Sequence, residues 1–193
     1  TQALELGRTT SFTAVEVANL MGELGRAGFS VQQIDAMTAS VLNLARATST
    51  DATLASGIMA ATIRQFSLDA GNAAHVADVL THAANATFNS VESLGEALSY
   101  AGPVASQLGM SLEESVAVLG TLGNVGVLGS NAGTALRRLT SVTAAESEKM
   151  KEIFGVNFLD AAGNMRPIIT VMGELGEATK DLASGVRAQK FNE

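Results

Sequence analysis

The 193-residue chain is predicted to be all-α, and three observations support this. Helix-start signals recur along the chain, the apolar residues between them fall at helical spacing, and one turn pattern repeats at intervals of 39 and 42 residues. Aromatic residues make up only 4% of the sequence and tryptophan is absent, so small residues must fill much of the core. That composition suits closely packed helices better than a β-sandwich or β-barrel.

Capping boxes, in which a hydroxyl residue precedes Glu or Gln by three positions, mark several helix starts. The matches are Thr13 with Glu16, Ser30 with Gln33 and Ser111 with Glu114; weaker candidates for the N-cap are Asp51, Asp69 and Asn89, the last with Glu92. Apolar residues then recur at i, i+3, i+4 and i+7, as in Val17, Leu20, Met21 and Leu24. Each such stripe predicts an amphipathic helix.

The repeating pattern is a small residue, an apolar residue, a cap and a helix start, at residues 28–31, 67–70 and 109–112. Its spacing is typical of two-helix repeats. We therefore expect residues 1–126 to form three helical hairpins, at about 11–48, 50–87 and 89–126, each completing its apolar seam against its neighbours. The pattern leaves open whether these irregular repeats pack as a bundle or as a short solenoid.

Residues 127–193 are expected to form a glycine-rich turn, helices over 134–142 and 146–154, and a final helix from Pro167 through about Ala183. A Gly-Asn turn predicts one small β-hairpin at about 155–166. Upstream, Pro103 interrupts the helical run 91–108 and predicts a kink or break, because proline lacks a backbone N–H and crowds the preceding turn. No signal peptide is visible, and we expect one folded unit cut from a longer chain.

The charge distribution argues against binding to nucleic acid. The formal net charge is −7, and residues 1–114 contain eleven acidic residues against four basic ones. Affinity for nucleic acid comes largely from the neutralisation of phosphates by Lys and Arg, and no basic stripe is present. The absence of cysteine excludes disulfides and thiolate chemistry.

No motif indicates catalysis, a cofactor or a metal, and we expect none of the three. The loop from Gly126 to Thr134 resembles a phosphate-binding turn but lacks the lysine that such a loop needs. His75, Asp78 and His82 share one helix face, yet the two histidines are two turns apart; Asp78 and His82 are better interpreted as an exposed i,i+4 pair. The segment from Asp160 to Asn164 offers one carboxylate, too few for calcium, and is interpreted as a turn.

Six positions are therefore candidates for structural or interaction roles rather than for chemistry: Pro103, Gly126, Gly129, Gly133, Arg137 and Arg138. The last two form a basic doublet directly after the uncharged run Ser115–Leu136. That run is 22 residues long, enough for a membrane span, but its glycines and asparagines favour a buried helix followed by a loop.

The order and spacing of several motifs resemble the conserved core region of phage tail tape-measure proteins. They are Phe12-Thr-Ala-x-Glu16-Val, Ala27-Gly-Phe-Ser30, Ser90-Val-Glu-x-Leu-Gly-Glu-Ala-Leu98, Gly102-Pro-Val-Ala105, Leu108-Gly-Met-Ser-Leu-Glu-Glu114, Gly126-x-x-Gly-Ser-x-Ala-Gly-Thr-Ala-Leu-Arg137, Phe154-Gly-Val and Asp160-x-x-Gly163-Asn-Met-Arg166. The resemblance covers nearly the whole chain.

The resemblance implies a structural role and no enzymatic one. Proteins of this family are long helical chains in the lumen of the phage tail, where they set tail length during assembly and leave ahead of the genome. The implied partners are tail-tube subunits, tail-tip or baseplate components, tail assembly chaperones and further copies of the same chain; no sequence-specific nucleic acid is implied. Since this segment is predicted as folded hairpins, we expect a docking or end module. The alternatives are a helical-repeat scaffold unrelated to phage and a membrane-interacting module using Ser115–Leu136.

Overall fold

The fold was obtained as a computed structural model that describes residues 2–192, apart from the side chains at positions 143, 144, 191 and 192. The predicted all-α class is confirmed, since this range contains helices and no β-strand. The helices are α1 (Gln2–Thr9), α2 (Ala14–Arg26), α3 (Val31–Thr48), α4 (Ala52–Gln65), α5 (Ala73–Ala86), α6 (Val91–Gln107), α7 (Leu112–Asn124), α8 (Gly129–Ala145), α9 (Ser147–Phe154), α10 (Ile168–Thr179) and α11 (Ser184–Asn192). A 3₁₀ turn, Ala70–Asn72, precedes α5.

The predicted capping boxes form at the starts of α2, α3 and α7, where the hydroxyl and the third-residue side chain each bond to the other's backbone N–H. Asp51 caps α4 by accepting from the backbone N–H groups of Thr53 and Leu54. The predicted N-cap of α6, Asn89 paired with Glu92, is wrong. Ser90 is the N-cap and accepts from the N–H of Ser93, while Asn89 turns into the core.

Five inter-helix turns share one left-handed C-cap, the Schellman arrangement. At Gly126, for example, the residue's own N–H bonds to Gly123 and the next N–H bonds to Leu122, both at 2.9 Å. The residues with positive φ in these turns are Gly28, Gly109, Gly126, Ser49 and Ser67. Glycine adopts this conformation without a steric penalty, whereas the two serines do not.

The helices stack in two layers with a constant register. One layer contains α2, α4, α6 and α8, and the other contains α3, α5 and α7; each helix packs on the next in its own layer. The N-caps of the first layer, Thr13, Asp51, Ser90 and Leu128, are 38 or 39 residues apart. Hydrogen bonds between repeats accordingly join residues 36 to 38 apart in sequence. This arrangement is a short solenoid rather than a bundle.

Pro103 does not break the chain, because α6 continues from Val91 through Gln107. Of the predicted kink or break, the break is therefore wrong, for a positional reason. Pro103 and Ser99, whose carbonyl lacks its helical partner, both lie on the exposed face of α6, so water can reach that carbonyl. The buried face of α6 is left undisturbed.

The predicted β-hairpin at 155–166 is also wrong. In the described range a single isolated antiparallel bridge joins Leu159 and Met165, flanked by bonds from the N–H of Asp160 to Asn164 and of Arg166 to Phe158. Pro167 follows at once, and α10 begins at Ile168, so the chain turns into a helix before a second pair can form.

The other downstream boundaries differ as well. The short helix expected at 134–142 is α8, which is longer in both directions. The final helix expected through about Ala183 is α10, which ends earlier, at Thr179, and a further helix that was not expected, α11, begins at Ser184. The junction of these two helices is stabilised by Arg187, whose guanidinium donates to the carbonyls of Lys180 and Leu182 at the end of α10.

Candidate interaction site

The six positions singled out in the sequence divide into two places. Five follow one another along the α7–α8 turn and α8: Gly126, Gly129, Gly133, Arg137 and Arg138. Pro103 is separate, on the exposed face of α6. Gly126 supplies the positive φ of the turn, and Arg137 and Arg138 present exposed side chains on α8.

Gly129 and Gly133 allow α8 to lie against α6 at unusually short range. A Cβ added at Gly133 would lie 2.9 Å from the Cα of Ala97 and closer still to its carbonyl oxygen. A Cβ at Gly129 would collide with the carboxylate of Glu96. The two glycines are one helical turn apart, so together they form the smooth face on which the parallel helix α6 packs.

A buried polar junction ties the start of α8 to the rest of the fold. The N–H of Gly129 donates to Ser93 Oγ at 3.1 Å, and that hydroxyl donates to Asn89 Oδ1 at 3.2 Å. The Asn89 amide, only 4% exposed, donates in turn to the Leu119 carbonyl at 3.2 Å and to Thr87 Oγ1 at 3.1 Å. Four helices therefore meet at one satisfied network, which fixes their register because an unpaired buried amide is costly.

A groove of about 470 Å³ runs between α5 and α7 on the second layer. Its floor is built of small or branched apolar residues: Val79, Ala83, Ala86, Val116, Ala117 and Gly120. On its rim His75 Nε2 and Glu113 Oε1 form a hydrogen bond. That bond lowers the pKa of the Glu113 carboxyl below its ordinary value.

The expected pairing of Asp78 with His82 does not form; both side chains line the groove and neither takes part in an ion pair within the described residues. Sequence analysis missed Glu113, which lies 38 residues after its partner His75. The repeat spacing was the signal that could have found it, since residues one repeat apart face each other in a solenoid.

The segment from Asp160 to Asn164 is a turn, as predicted. Asp160 Oδ1 accepts from the N–H groups of Ala162 and Asn164 at 2.8 and 2.9 Å. The bond from the Asn164 backbone is the main reason that the pKa of Asp160 is lowered. The hydrogen bonds that this carboxylate makes to described residues therefore all lie within the loop.

The uncharged run Ser115–Leu136 spans two helices, since a turn separates α7 from α8. Among the described residues, no helix has the length and apolar character needed to cross a membrane. In the same part of the chain, no cluster of three or more His, Asp or Glu side chains could hold a metal ion.

Comparison with known proteins points to phage tails. The family model described as "Phage-related minor tail protein" matches residues 1–193. The chain is 41% identical over 191 residues to the "Tape measure protein" of Pneumococcus phage Dp-1, covering 97% of this chain and 16% of that protein. It is 36% identical over 182 residues to the "Probable tape measure protein" of Escherichia phage P2, covering 90% of this chain and 22% of that protein. No solved structure matches significantly.

Proposed function

The chain belongs to the family of phage-related minor tail proteins, and from that membership we propose that it is a folded segment of a tape measure protein. The observation that carries the proposal is the identity of 41% and 36% to two proteins bearing that name, across nearly the whole of this chain. The chain spans only about a fifth of the length of those relatives, so the proposal concerns one region of a much longer protein.

The fold helps to distinguish a length-determining role for this region from a docking or end role. As one continuous helix, 193 residues would extend about 290 Å, at about 1.5 Å per residue. Folded as a solenoid, the four first-layer helices advance by only about 10 Å per helix. A compact stack is thus a poor measure of length. We assign the length-determining role to other, extended parts of the protein and a docking or end role to this segment.

The partners that suit this role are tail components: tail-tube subunits, tail-tip or baseplate proteins, assembly chaperones and further copies of the same protein. The whole protein would occupy the tail lumen and leave it with the genome. We treat residues 2–192 as one folded unit in which the solenoid and the downstream segment act together. The exposed doublet Arg137 and Arg138 is the part of the α8 surface suited to an acidic partner.

The test is tail length measured by electron microscopy in two kinds of mutant phage. An in-frame deletion in a helical region outside this segment should shorten tails by about 1.5 Å per residue removed. Inside the segment, reversal of both Arg137 and Arg138 to Glu should lower the number of complete tails without changing their length. The matched control reverses Arg46 and Lys151, two exposed bases elsewhere on the fold, and should leave tail number unchanged.

Two results would overturn the proposal. Tails whose length does not respond to any deletion in the parent protein would remove the tape-measure role and favour a general helical scaffold. An uninterrupted rod-like helix at these residues inside the assembled tail would remove the docking role, because the solenoid would then not exist where it is needed.

A further inference from the structure

The α5–α7 groove has the dimensions of a helix-binding site. The two helices run parallel: His75 and Glu113 bond near their N-terminal ends, and Phe88 and Asn124 bond at their C-terminal ends. With 14 and 13 residues they are each about 20 Å long, which corresponds to between three and four turns of a bound helix. The floor between them is built mainly of small or branched apolar side chains, while the larger His75, Asp78, His82 and Glu113 also line the groove.

The fold itself uses this kind of contact once. Helix α8 lies along the parallel helix α6 over small residues, with Gly133 directly against Ala97. In the second layer the corresponding small residues on α5 and α7, among them Ala86 and Ala117, are exposed and have no helix over them in the described part of the chain. An additional helix packed over these residues would bury their exposed apolar surface.

The charge of the groove specifies the occupant. Helices α5 and α7 contain no Lys or Arg, whereas the carboxylates of Asp78 and Glu113 line the groove. Both helix C-termini lie at the same end of the groove, near Asn124, and the helix dipoles add negative potential there. A helix with Lys or Arg beside its apolar face therefore complements both the rim and this end.

We propose that the α5–α7 groove binds one basic amphipathic helix from a partner protein. The inference rests on the docking role proposed above and adds a second surface to the doublet of Arg137 and Arg138, for a partner of opposite charge. The apolar face of the partner helix covers Val79, Ala86 and Ala117, and its flanking basic side chains pair with Asp78 and Glu113. Recognition of this type depends on apolar residues at i, i+3, i+4 and i+7 together with charges on either side.

The experiment measures binding of synthetic helical peptides to the purified chain by fluorescence anisotropy. The first peptide has a Leu/Ala face flanked by Lys, the second has the same face flanked by Glu, and the third scrambles the Lys peptide so that no apolar face remains. The scrambled peptide controls for general attraction to a chain of net charge −7. We expect saturable binding of the first peptide alone.

Two pairs of variants locate the binding. Ala117→Arg places a long cation on the exposed floor and should abolish binding, while Ala39→Arg adds the same charge to an exposed position of α3 outside the groove and should not. Asp78→Asn with Glu113→Gln should weaken binding about tenfold, as expected for two partly exposed ion pairs. Asp35→Asn with Glu148→Gln removes two charges elsewhere and should change little.

The proposal is overturned if the Lys peptide fails to bind, if the scrambled or Glu peptide binds as well, or if Ala117→Arg has no effect. Self-association of the chain that Ala117→Arg abolishes would also overturn it, since the occupant would then be a second copy; sedimentation of the chain alone tests this. These failures are distinct from failure of the tape-measure role, which is measured as tail length and does not depend on the peptides.

Discussion

Gly133→Ala is the substitution that most directly tests the close packing of α8 on α6. The added Cβ would lie 2.9 Å from the Cα of Ala97 and closer to its carbonyl oxygen, so backbone rather than a flexible side chain blocks it. Carbon atoms pack best at about 3.5–4.0 Å, so α8 must move away by roughly 1 Å. That movement loosens contacts of Leu136 and Ala101, which are both fully buried.

The energetic cost can be estimated from two opposing effects. Overpacking typically costs ~1–3 kcal/mol, and the upper end applies here because neither helix backbone can rotate out of the way. Alanine has a better helix propensity than glycine by ~1 kcal/mol. The net loss is about 2 kcal/mol, which for a domain of this size lowers the melting temperature by about 4–8 °C.

The assay is thermal unfolding followed by far-ultraviolet circular dichroism, with Gly173→Ala as the matched control. Gly173 lies in α10 with no atom within 4 Å of an added Cβ, so the same substitution should raise the melting temperature by about 2–4 °C. A Gly133→Ala protein that melts at or above the wild-type temperature would refute the packing argument, because helix propensity alone would then account for both positions.

Three further predictions concern the turns, the buried junction and the groove. Ser67→Gly should stabilise the fold by ~1 kcal/mol because Ser67 has a φ of 52°, and Gly126→Ala should destabilise it by a similar amount; urea unfolding of the two variants checks both signs. Asn89→Ala should cost about 2 kcal/mol in the same assay, since it removes the acceptor of the buried Ser93 hydroxyl and the side-chain donor to the Leu119 carbonyl. The pKa of Glu113 is lowered in the folded chain by its bond to His75, so this pair stabilises the fold above the ordinary pKa of Glu and ceases to do so as pH falls through the folded value. Glu113→Gln should therefore reduce the loss of melting temperature between neutral and acidic pH, and an unchanged pH profile would contradict the pairing.

Local signals in the sequence predicted local structure well. Thr13, Ser30 and Ser111 cap their helices as expected because a capping box needs only four consecutive residues. The prediction of a hairpin at 155–166 was wrong, and the reason is also local. The Gly-Asn turn does reverse the chain, but Pro167 and the helix after it remove the second strand.

What could not be predicted depends on contacts between repeats. Nothing near Asn89 in the sequence shows that its amide will meet Leu119, 30 residues away. Ser49 gives no sign of positive φ, because serine is common in turns of every type. Ser67 is different, since it occupies the position of Gly28 and Gly109 in the repeated turn pattern. The spacing of the repeats was visible, yet the choice between bundle and solenoid required the actual pairing of the layers.

Helix α6 is closely packed on two of its sides. Gly95 and Gly102 on this helix lie against Ile58 and Gln65 of α4. A different face of the same helix lies against α8, through Ala97 and Gly133. Small residues therefore lie at both packed sides of one helix, while Pro103 lies on its exposed face.

This arrangement also limits how the solenoid can be altered. The α4–α6 contact sets large side chains of α4 against glycine on α6, whereas the α6–α8 contact sets glycine on α8 against the backbone of α6. The two interfaces have the same register but opposite placement of their small residues. Repeats are consequently not interchangeable, and deletion of a whole repeat would join faces that cannot pack. The packing of such a segment therefore depends on the number and order of its helices.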